Sequence, residues 1–330
     1  MKLLTESCEL SAPLAQRLAR VSTVFEGQLR SDVAAVDSLT RHVERYRGKM
    51  LRPILVVIAG WTVRPPSDDA GEIECRLDTV AAVAEMIHMA TLVHDDVLDE
   101  AELRRGGVTV NSLRGNETAV MLGDYLIASA FHLCSSLALP WLNSALGVTT
   151  TQLCSGEILQ LTHRGNMSLD EATYFEIIRL KTAVLSGACC SLAGRIVGAN
   201  AAQIAALHRY GEELGMAFQI QDDLLDLVGD EETVGKTLGI DLQKGKLTLP
   251  IVMHLARVDE VARAQTLQAI QGCDRRALRV LVTESGALQA AREKALGRVV
   301  AAKRQLAQLP SGVATELLAR IADATVERAH

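Results

Sequence analysis

Apolar residues recur along most of this chain at three- and four-residue intervals, the period of a helix with one buried face. Prolines stand only at 13, 53, 65, 66, 140, 250 and 310, and the long intervals between them are rich in Ala, Leu, Val, Glu, Arg and Gln, which favour helix. The pattern predicts helices near 12–45, 52–63, 77–100, 116–138, 141–163, 170–198, 202–228, 247–257, 259–270, 274–283, 285–307 and 312–328. Loops are expected near 64–76, 104–115, 139–141, 164–169, 229–246 and 308–312. Strand signals are weak, with few alternating Val/Ile/Thr runs and no Asn-Gly or Asp-Gly turn between apolar segments. No linker-like shift in composition divides the chain, so one all-α domain over 1–330 is expected. The segment from Thr79 to His94 is apolar on every side except at Glu85, His88 and His94, which suits the centre of a bundle. Gly211 and Gly215, four apart, suit close helix packing.

The stretch from Tyr125 to Gly156 carries no formal charge and exceeds the roughly 20 residues of a membrane-spanning helix. Pro140, Asn143, His132 and the Thr149–Gln152 cluster interrupt it, and no basic flank sets an orientation. Two core helices joined near Leu139–Asn143 fit better than a transmembrane segment, and such a pair suits the wall of a large apolar cavity. A net charge of −6 and an aromatic content of 3% argue against nucleic-acid binding: a phosphate backbone is repelled, and bases find few rings to stack on. The seven Cys show no CxxC pairing, which suits a reducing compartment and buried, hydrophobe-like thiols. Glu6 and Glu9 stand where a signal peptide needs an apolar run, so a cytoplasmic protein is expected.

The strongest chemical signal is a repeated acidic pentapeptide, Asp95-Asp96-Val97-Leu98-Asp99 and Asp222-Asp223-Leu224-Leu225-Asp226. On a helix, positions i, i+1 and i+4 fall within an arc of about 100°, so each copy aims three carboxylates to one side. Asp is a poor helix former and like charges repel, by on the order of 4 kcal/mol at ~4 Å and an effective dielectric of 20. Both copies extend apolar helices, and charges beside a core need partners or a metal. Oxygen donors without His or Cys select a hard cation, and Mg²⁺ typically combines one or two carboxylates with water and substrate phosphates.

Cations for such phosphates stand nearby in sequence. Arg104-Arg105-Gly106-Gly107 follows the first acidic motif, and Gly48-Lys49-Met50-Leu51-Arg52-Pro53 precedes a predicted helix. Lys181-Thr182 lies in mid-helix, while Gly235-Lys236-Thr237 and Gly245-Lys246 bracket the loop after the second motif. No stretch matches the nucleotide-binding pattern GxxxxGK[ST].

These residues resemble the trans-isoprenyl diphosphate (polyprenyl) synthases, from about residue 40 to the C-terminus. The motifs that carry the resemblance are GKMLRP at 48–53, IHMATLVHDDVLDEAELRRGG at 87–107, GDYL at 123–126, GEILQL at 156–161, KTA at 181–183, GMAFQIQDDLLD at 215–226 and GKTLGIDLQKGKLTLP at 235–250. The resemblance implies a single large helical bundle around a deep apolar cavity, usually homodimeric, that condenses isopentenyl diphosphate onto an allylic diphosphate. It implies that Asp95 and Asp99 ligate two Mg²⁺ ions and Asp222 a third, with Asp96, Asp223 and Asp226 completing the shells. Arg104, Lys181, Thr182, Gln219 and Lys236 resemble the groups that hold the allylic diphosphate, with Lys246 beside them. Lys49, Arg52, His88 and Arg105 resemble those that hold isopentenyl diphosphate. The family usually has GGKRxRP at the first loop, and this chain departs from it at two positions, with Arg47 and Met50.

In the family a bulky aromatic five residues before the first acidic motif closes the product pocket early. The small Ala90 stands there, followed by Thr91, so a medium- or long-chain product is expected over farnesyl or geranylgeranyl diphosphate. Met86 and Ile87 lie further down as alternative floors, and release of a long product implies transient membrane contact. Among rival readings, Glu85-Met86-Ile87-His88 has the ExxH spacing of di-iron bundles but lacks a second copy. Class I terpene cyclases generally carry a different second metal motif. Non-catalytic subunits of heteromeric synthases commonly lose acidic residues, whereas all six Asp are present here.

Overall fold

The computed structural model describes residues 9–66, 71–229 and 239–327. As expected, the architecture is all-α. Where one helix was expected over 12–45 there are two, α1 (Ser11–Leu29) and α2 (Ala34–Glu44). Arg30 between them is extended, and the Ser31 hydroxyl accepts the Val33 N–H at 3.2 Å, a local bond that competes with helix continuation. Next come α3 (Leu51–Val63) and α4 (Gly71–Leu98), which begins ahead of the predicted residue 77.

The predicted loop 104–115 contains an antiparallel hairpin, β1 (Leu103–Arg104) with β2 (Gly107–Val108), and a short helix α5 (Val110–Arg114). Arg105 and Gly106 carry the turn with φ of 50° and 77°, the pair of positive values that a tight two-residue hairpin requires. The charge-free stretch is divided, as expected, into α6 (Asn116–Ser135) and α7 (Pro140–Thr162), with Pro140 as the first helical residue of α7. The predicted helix 170–198 is α8 (Glu171–Ile178), a π-helical segment at Arg179–Ala183, and α9 (Val184–Ile196). The remaining helices are α10 (Ala201–Val228), α11 (Ile240–Gln243), α12 (Leu249–Leu255), α13 (Glu260–Gln271), α14 (Arg275–Glu284), α15 (Ala287–Leu306) and α16 (Val313–Val326). Asp170, Asp259 and Asp274 cap α8, α13 and α14, each carboxylate accepting a first-turn N–H at 2.7–2.9 Å.

The chain divides into two compact units. The first takes residues 1–150, 188–208 and 305–320. Its core is α3, buried from Pro53 to Thr62, and α4, buried from Leu77 to Ile87. Full burial of each aliphatic side chain stabilises by about 1.5–3 kcal/mol, so this run dominates the unit's stability. Gly60 permits the approach of α3 to α4, since a Cβ there would lie 2.9 Å from a Leu77 methyl. Arg17 of α1 is buried against Glu74 and, at 2.8 Å, Asp78 of α4.

The second unit takes residues 151–187, 209–304 and 321–330. Tyr174, Ile178, Ile220, Leu224, Leu249 and Leu278 form its core. Gly211 and Gly215 serve close packing as expected: Cβ atoms there would stand 2.3 Å from the Ser186 carbonyl and 2.6 Å from Ala183 Cα. Arg275 donates to the Leu227 and Gly229 carbonyls and so closes the C-terminus of α10.

Cys134, Cys189 and Cys190 are buried as expected, but Cys75, Cys154 and Cys273 are exposed. Cys75 lies on α4, Cys154 on α7, and Cys273 just after α13. Two helical stretches, Asn116–Ser135 and Glu171–Ile196, are long and apolar enough to cross a membrane. Most of the second, 72% of its apolar window, is buried against the rest of the chain, as in a core helix.

Candidate active site

From Val80 to Asp96 the positions of α4 that are not fully buried are His88, Thr91, Leu92, His94 and Asp95. Apart from His94, these lie within about 100° of one another around the helix, and Asp99 falls on the same arc. The helix therefore presents one accessible stripe ending in two of the three carboxylates. Asp96 points elsewhere and is 2% exposed. Its Oδ1 accepts from Arg104 Nε at 2.7 Å and lies 2.6 Å from Nη2, which joins the hairpin to the acidic motif. Burial raises the Asp96 carboxyl above its ordinary range while Arg104 opposes the shift.

Arg105, next on the hairpin, turns away from Asp96 and donates to the Tyr46 carbonyl. Its guanidinium occupies the space a side chain at Gly48 would need, so a larger residue there would have to displace the Arg105 head group. Lys49 is exposed in the same loop, and Met50 takes the left-handed conformation at φ 51° just before α3. The two departures from the family pattern both face α1. Arg47 pairs with Glu26 at 2.9 Å and lies 4.3 Å from the centre of the Phe25 ring, and Met50 sulfur lies 3.9 Å from the Ser22 hydroxyl. Burial, reinforced by Arg52, Arg105 and Arg104, pushes His88 well below its ordinary 6.5, so the imidazole is neutral at pH 7. Glu85, one turn before His88, is buried with Oε2 lacking a hydrogen-bond partner. Burial raises its carboxyl, while Arg52, Arg105 and Arg47 pull the other way. The first unit thus brings Arg52, Arg105 and His88 into one basic neighbourhood around a buried carboxyl, while Lys49 stands exposed in the loop before α3.

In the second unit α10 repeats the pattern: Phe218, Gln219, Asp222 and Leu225 are the accessible stripe, and Asp223 and Asp226 are buried. Asp223 accepts from Tyr174 at 2.6 Å and from Gln219 at 2.9 Å, one donor to each oxygen. Burial pushes its carboxyl up to about 7, with Asp241 and Asp222 adding to the rise and Tyr174 and Gln219 opposing it. Asp226 Oδ1 accepts the Gly239 N–H at 3.0 Å. Thr182 donates to Gln219 at 2.9 Å, and Lys181 reaches Glu157 at 2.6 Å and Gln160 at 2.8 Å. Gly156 allows α7 this close to the π segment, since a Cβ would stand 2.4 Å from the Lys181 nitrogen. A small cavity of ≈ 60 Å³ is lined by Lys181, Gln219, Asp223, Asp241, Lys246 and Tyr174.

Lys236 lies outside the described residues. Met86, Ile87 and Ala90 are closed off from solvent, whereas Thr91 is partly exposed and donates to the His88 carbonyl at 2.7 Å. Sequence reasoning missed Tyr174 and Glu157. Glu157 stood inside the GEILQL motif, but a mid-helix Glu carries no signal of its own; Tyr174 had none. Among the described residues no three His, Cys, Asp or Glu side chains stand ready-made around a cation. The donors nevertheless suit Mg²⁺: they are all carboxylate oxygens, and the buried Asp96 Oδ2 has no hydrogen-bond partner.

Comparison with known proteins gives the chain's family. The profile of the polyprenyl synthetase family matches residues 33–282. The short chain isoprenyl diphosphate synthase of Methanothermobacter thermautotrophicus is 35% identical over 95% of this chain and 98% of its own. The decaprenyl diphosphate synthase of Rhodobacter capsulatus superposes with a TM-score of 0.89 at 36% identity, covering 97% of this chain and 98% of that one. A polyprenyl synthase from Caulobacter crescentus CB15, solved with calcium and isoprenyl diphosphate, does so at 0.89 and 34%, covering 97% of both chains.

Proposed function

The chain belongs to the polyprenyl synthetase family, and on that premise we propose that it condenses isopentenyl diphosphate with an allylic diphosphate to give an all-trans polyprenyl diphosphate of medium or long chain. One observation carries the reading. Each acidic motif buries its second Asp in a fixed network and keeps its first on an accessible helix stripe that also bears a polar substrate-binding candidate, His88 or Gln219.

Asp95, Asp99 and Asp222 would hold three Mg²⁺ ions, with Asp96, Asp223 and Asp226 behind them. Bound there, the ions supply Lewis-acid neutralisation of the leaving diphosphate. Lys181, Arg104, Lys236 and Lys246 hold the allylic diphosphate and stabilise the charge that develops as it departs with the C–O electron pair. Thr182 and Gln219 orient that group. Lys49, Arg52, Arg105 and the neutral His88 hold isopentenyl diphosphate, which brings its alkene to the allylic carbon. The alkene π pair forms the new C–C bond, and the released diphosphate takes the proton that restores a double bond. The apolar stretch of α4 shelters the cation from water.

We assign the chain-length floor to Ala90 and Thr91, with Met86 and Ile87 beneath. We read residues 1–330 as a single polyprenyl synthase domain, in a cytoplasmic homodimer that touches the membrane only to release product. Glu117 and Asp124 within α6 oppose its insertion. The similarity to a short chain synthase supports a second reading, a geranylgeranyl or farnesyl product, which differs only in where the floor lies.

The test is Mg²⁺-dependent incorporation of labelled isopentenyl diphosphate with dimethylallyl, geranyl and farnesyl diphosphate starters, followed by product sizing. Asp95→Ala is expected to lower turnover by about a thousandfold or more. Full activity of that variant in excess chelator overturns the reading.

A further inference from the structure

Tyr174 belongs to α8, one turn before the π segment, and Thr182 belongs to the π segment itself. Both bond to α10. Tyr174 donates to one oxygen of Asp223, the Gln219 amide donates to the other, and Thr182 donates to the carbonyl of that same amide. The four side chains thus close a loop between two helices, with two contacts on each. Gln219 and Asp223 are four apart and share a face of α10. Tyr174 and Thr182 are eight apart, which in a regular α-helix leaves them about 80° out of phase. A π segment absorbs one residue, about 100°, and so brings them to within about 20° of a common face. The interruption at Arg179–Ala183 therefore has a geometric purpose: it lets one helix hold α10 at two heights.

We propose that Tyr174 is a positioning residue of the second acidic motif, its phenol and the Gln219 amide clamping Asp223 so that the motif and the Lys181–Thr182 segment keep one fixed register. This rests on the prenyltransferase reading above. Asp223 then acts as the anchor of the motif, each of its oxygens held by a donor from the chain. Asp222, its neighbour on the accessible stripe, is the one of the pair placed to meet a cation. The phenol's place is not explained by packing alone. Tyr174 is 3% exposed, yet its hydroxyl reaches a carboxylate, and a Phe of the same shape would leave that oxygen without its donor.

The test compares the full-length wild-type enzyme with Tyr174→Phe in two readouts. The first is the Mg²⁺ concentration for half-maximal rate with isopentenyl and geranyl diphosphates. The second is the rise in melting temperature on adding Mg²⁺ with inorganic pyrophosphate, which needs no turnover. Tyr174→Phe is expected to raise the Mg²⁺ requirement about tenfold and to lose most of the ligand-induced rise, while the unliganded melting temperature stays within a few degrees. An unchanged Mg²⁺ requirement overturns the clamp, including the case in which only the unliganded melting temperature falls. If the variant fails to fold, Gln219→Leu is read by the same two measurements: a matching rise in requirement supports the clamp and no rise overturns it. Wild-type enzyme that turns over without Mg²⁺, or not at all, overturns the functional reading instead.

Discussion

The ring of His94 fills the space where Gly123 would carry a side chain: a Cβ at that glycine would stand 2.1 Å from His94 Nε2. The imidazole also lies 3.2 Å from the Val120 carbonyl and 3.5 Å from Asp124. His94 is the residue before Asp95, so this contact fixes the end of α4 against α6 just where the acidic stripe begins. Gly123→Ala is expected to destabilise the protein by about 1–3 kcal/mol in urea unfolding, as overpacking does. His94→Ala in the same chain should restore most of that loss, because the two sites are in contact and their effects are not additive. Additive losses would show that the glycine serves some other purpose.

Glu157 faces Lys181 from α7, and both side chains are about four-fifths buried. On the proposed function, a substrate diphosphate at Lys181 would meet an ammonium already aimed by a carboxylate and by the Gln160 amide. Glu157→Gln keeps the shape and removes the charge that orients the ammonium. A charge-assisted bond of this kind contributes about 1.5–3 kcal/mol, so KM for the allylic diphosphate should rise roughly tenfold or more while KM for isopentenyl diphosphate stays put. Equal changes in both constants would mean that Lys181 does not discriminate between the two sites.

Asp78 gives the fold a pH signature remote from the chemistry. Burial pushes its carboxyl from the ordinary 3.8 up to about 6, against the opposing pull of Arg17 and Arg20. Between about pH 4 and 6 the folded chain therefore keeps a proton that the unfolded chain has released. Its contribution to stability must then fall as pH rises through that window. Asp78→Asn cannot ionise, so stability measured by urea unfolding at pH 4, 5, 6 and 7 should drop less steeply with rising pH than in the wild type. Parallel curves would show that Asp78 ionises normally in the fold.

How much of this was legible beforehand depends on the kind of signal. The helices were readable because apolar period and proline position act locally, and the acidic pentapeptides marked where the carboxylates stand; that Asp96, Asp223 and Asp226 turn inward instead of joining the others on one side was not readable, because it is set by their partners Arg104, Tyr174 and the Gly239 N–H. The break at Arg30–Asp32 was not, since nothing in the pattern shows that Ser31 will bond to Val33. The hairpin at 103–108 hid because its turn is Arg-Gly rather than Asn-Gly. The π segment was invisible for a deeper reason: its phase shift is selected by Tyr174 and Thr182 meeting partners some 40 residues away, a tertiary demand that overrides local propensity. Motif glycines were visible as letters, but their reasons, an Arg105 guanidinium at Gly48 and a Lys181 backbone at Gly156, belong to packing alone.

On the proposed function, product length depends on which face of α4 the growing chain follows. Thr91 stands about 40° from Asp95 around the helix and is partly exposed, whereas Ala90 stands about 140° away and is fully buried. Phe at 91 adds bulk on the acidic stripe itself, one turn above the motif. Thr91→Phe is therefore expected to shorten the product at a nearly unchanged melting temperature. Ala90→Phe should shorten it too, but with a stability loss of about 1–3 kcal/mol from forcing a ring into a filled core. Chromatographic sizing of products from a farnesyl diphosphate starter reads both. If neither variant shortens the chain, the floor lies deeper, and Met86→Ala or Ile87→Ala should then lengthen it by opening about another helical turn, 5.4 Å.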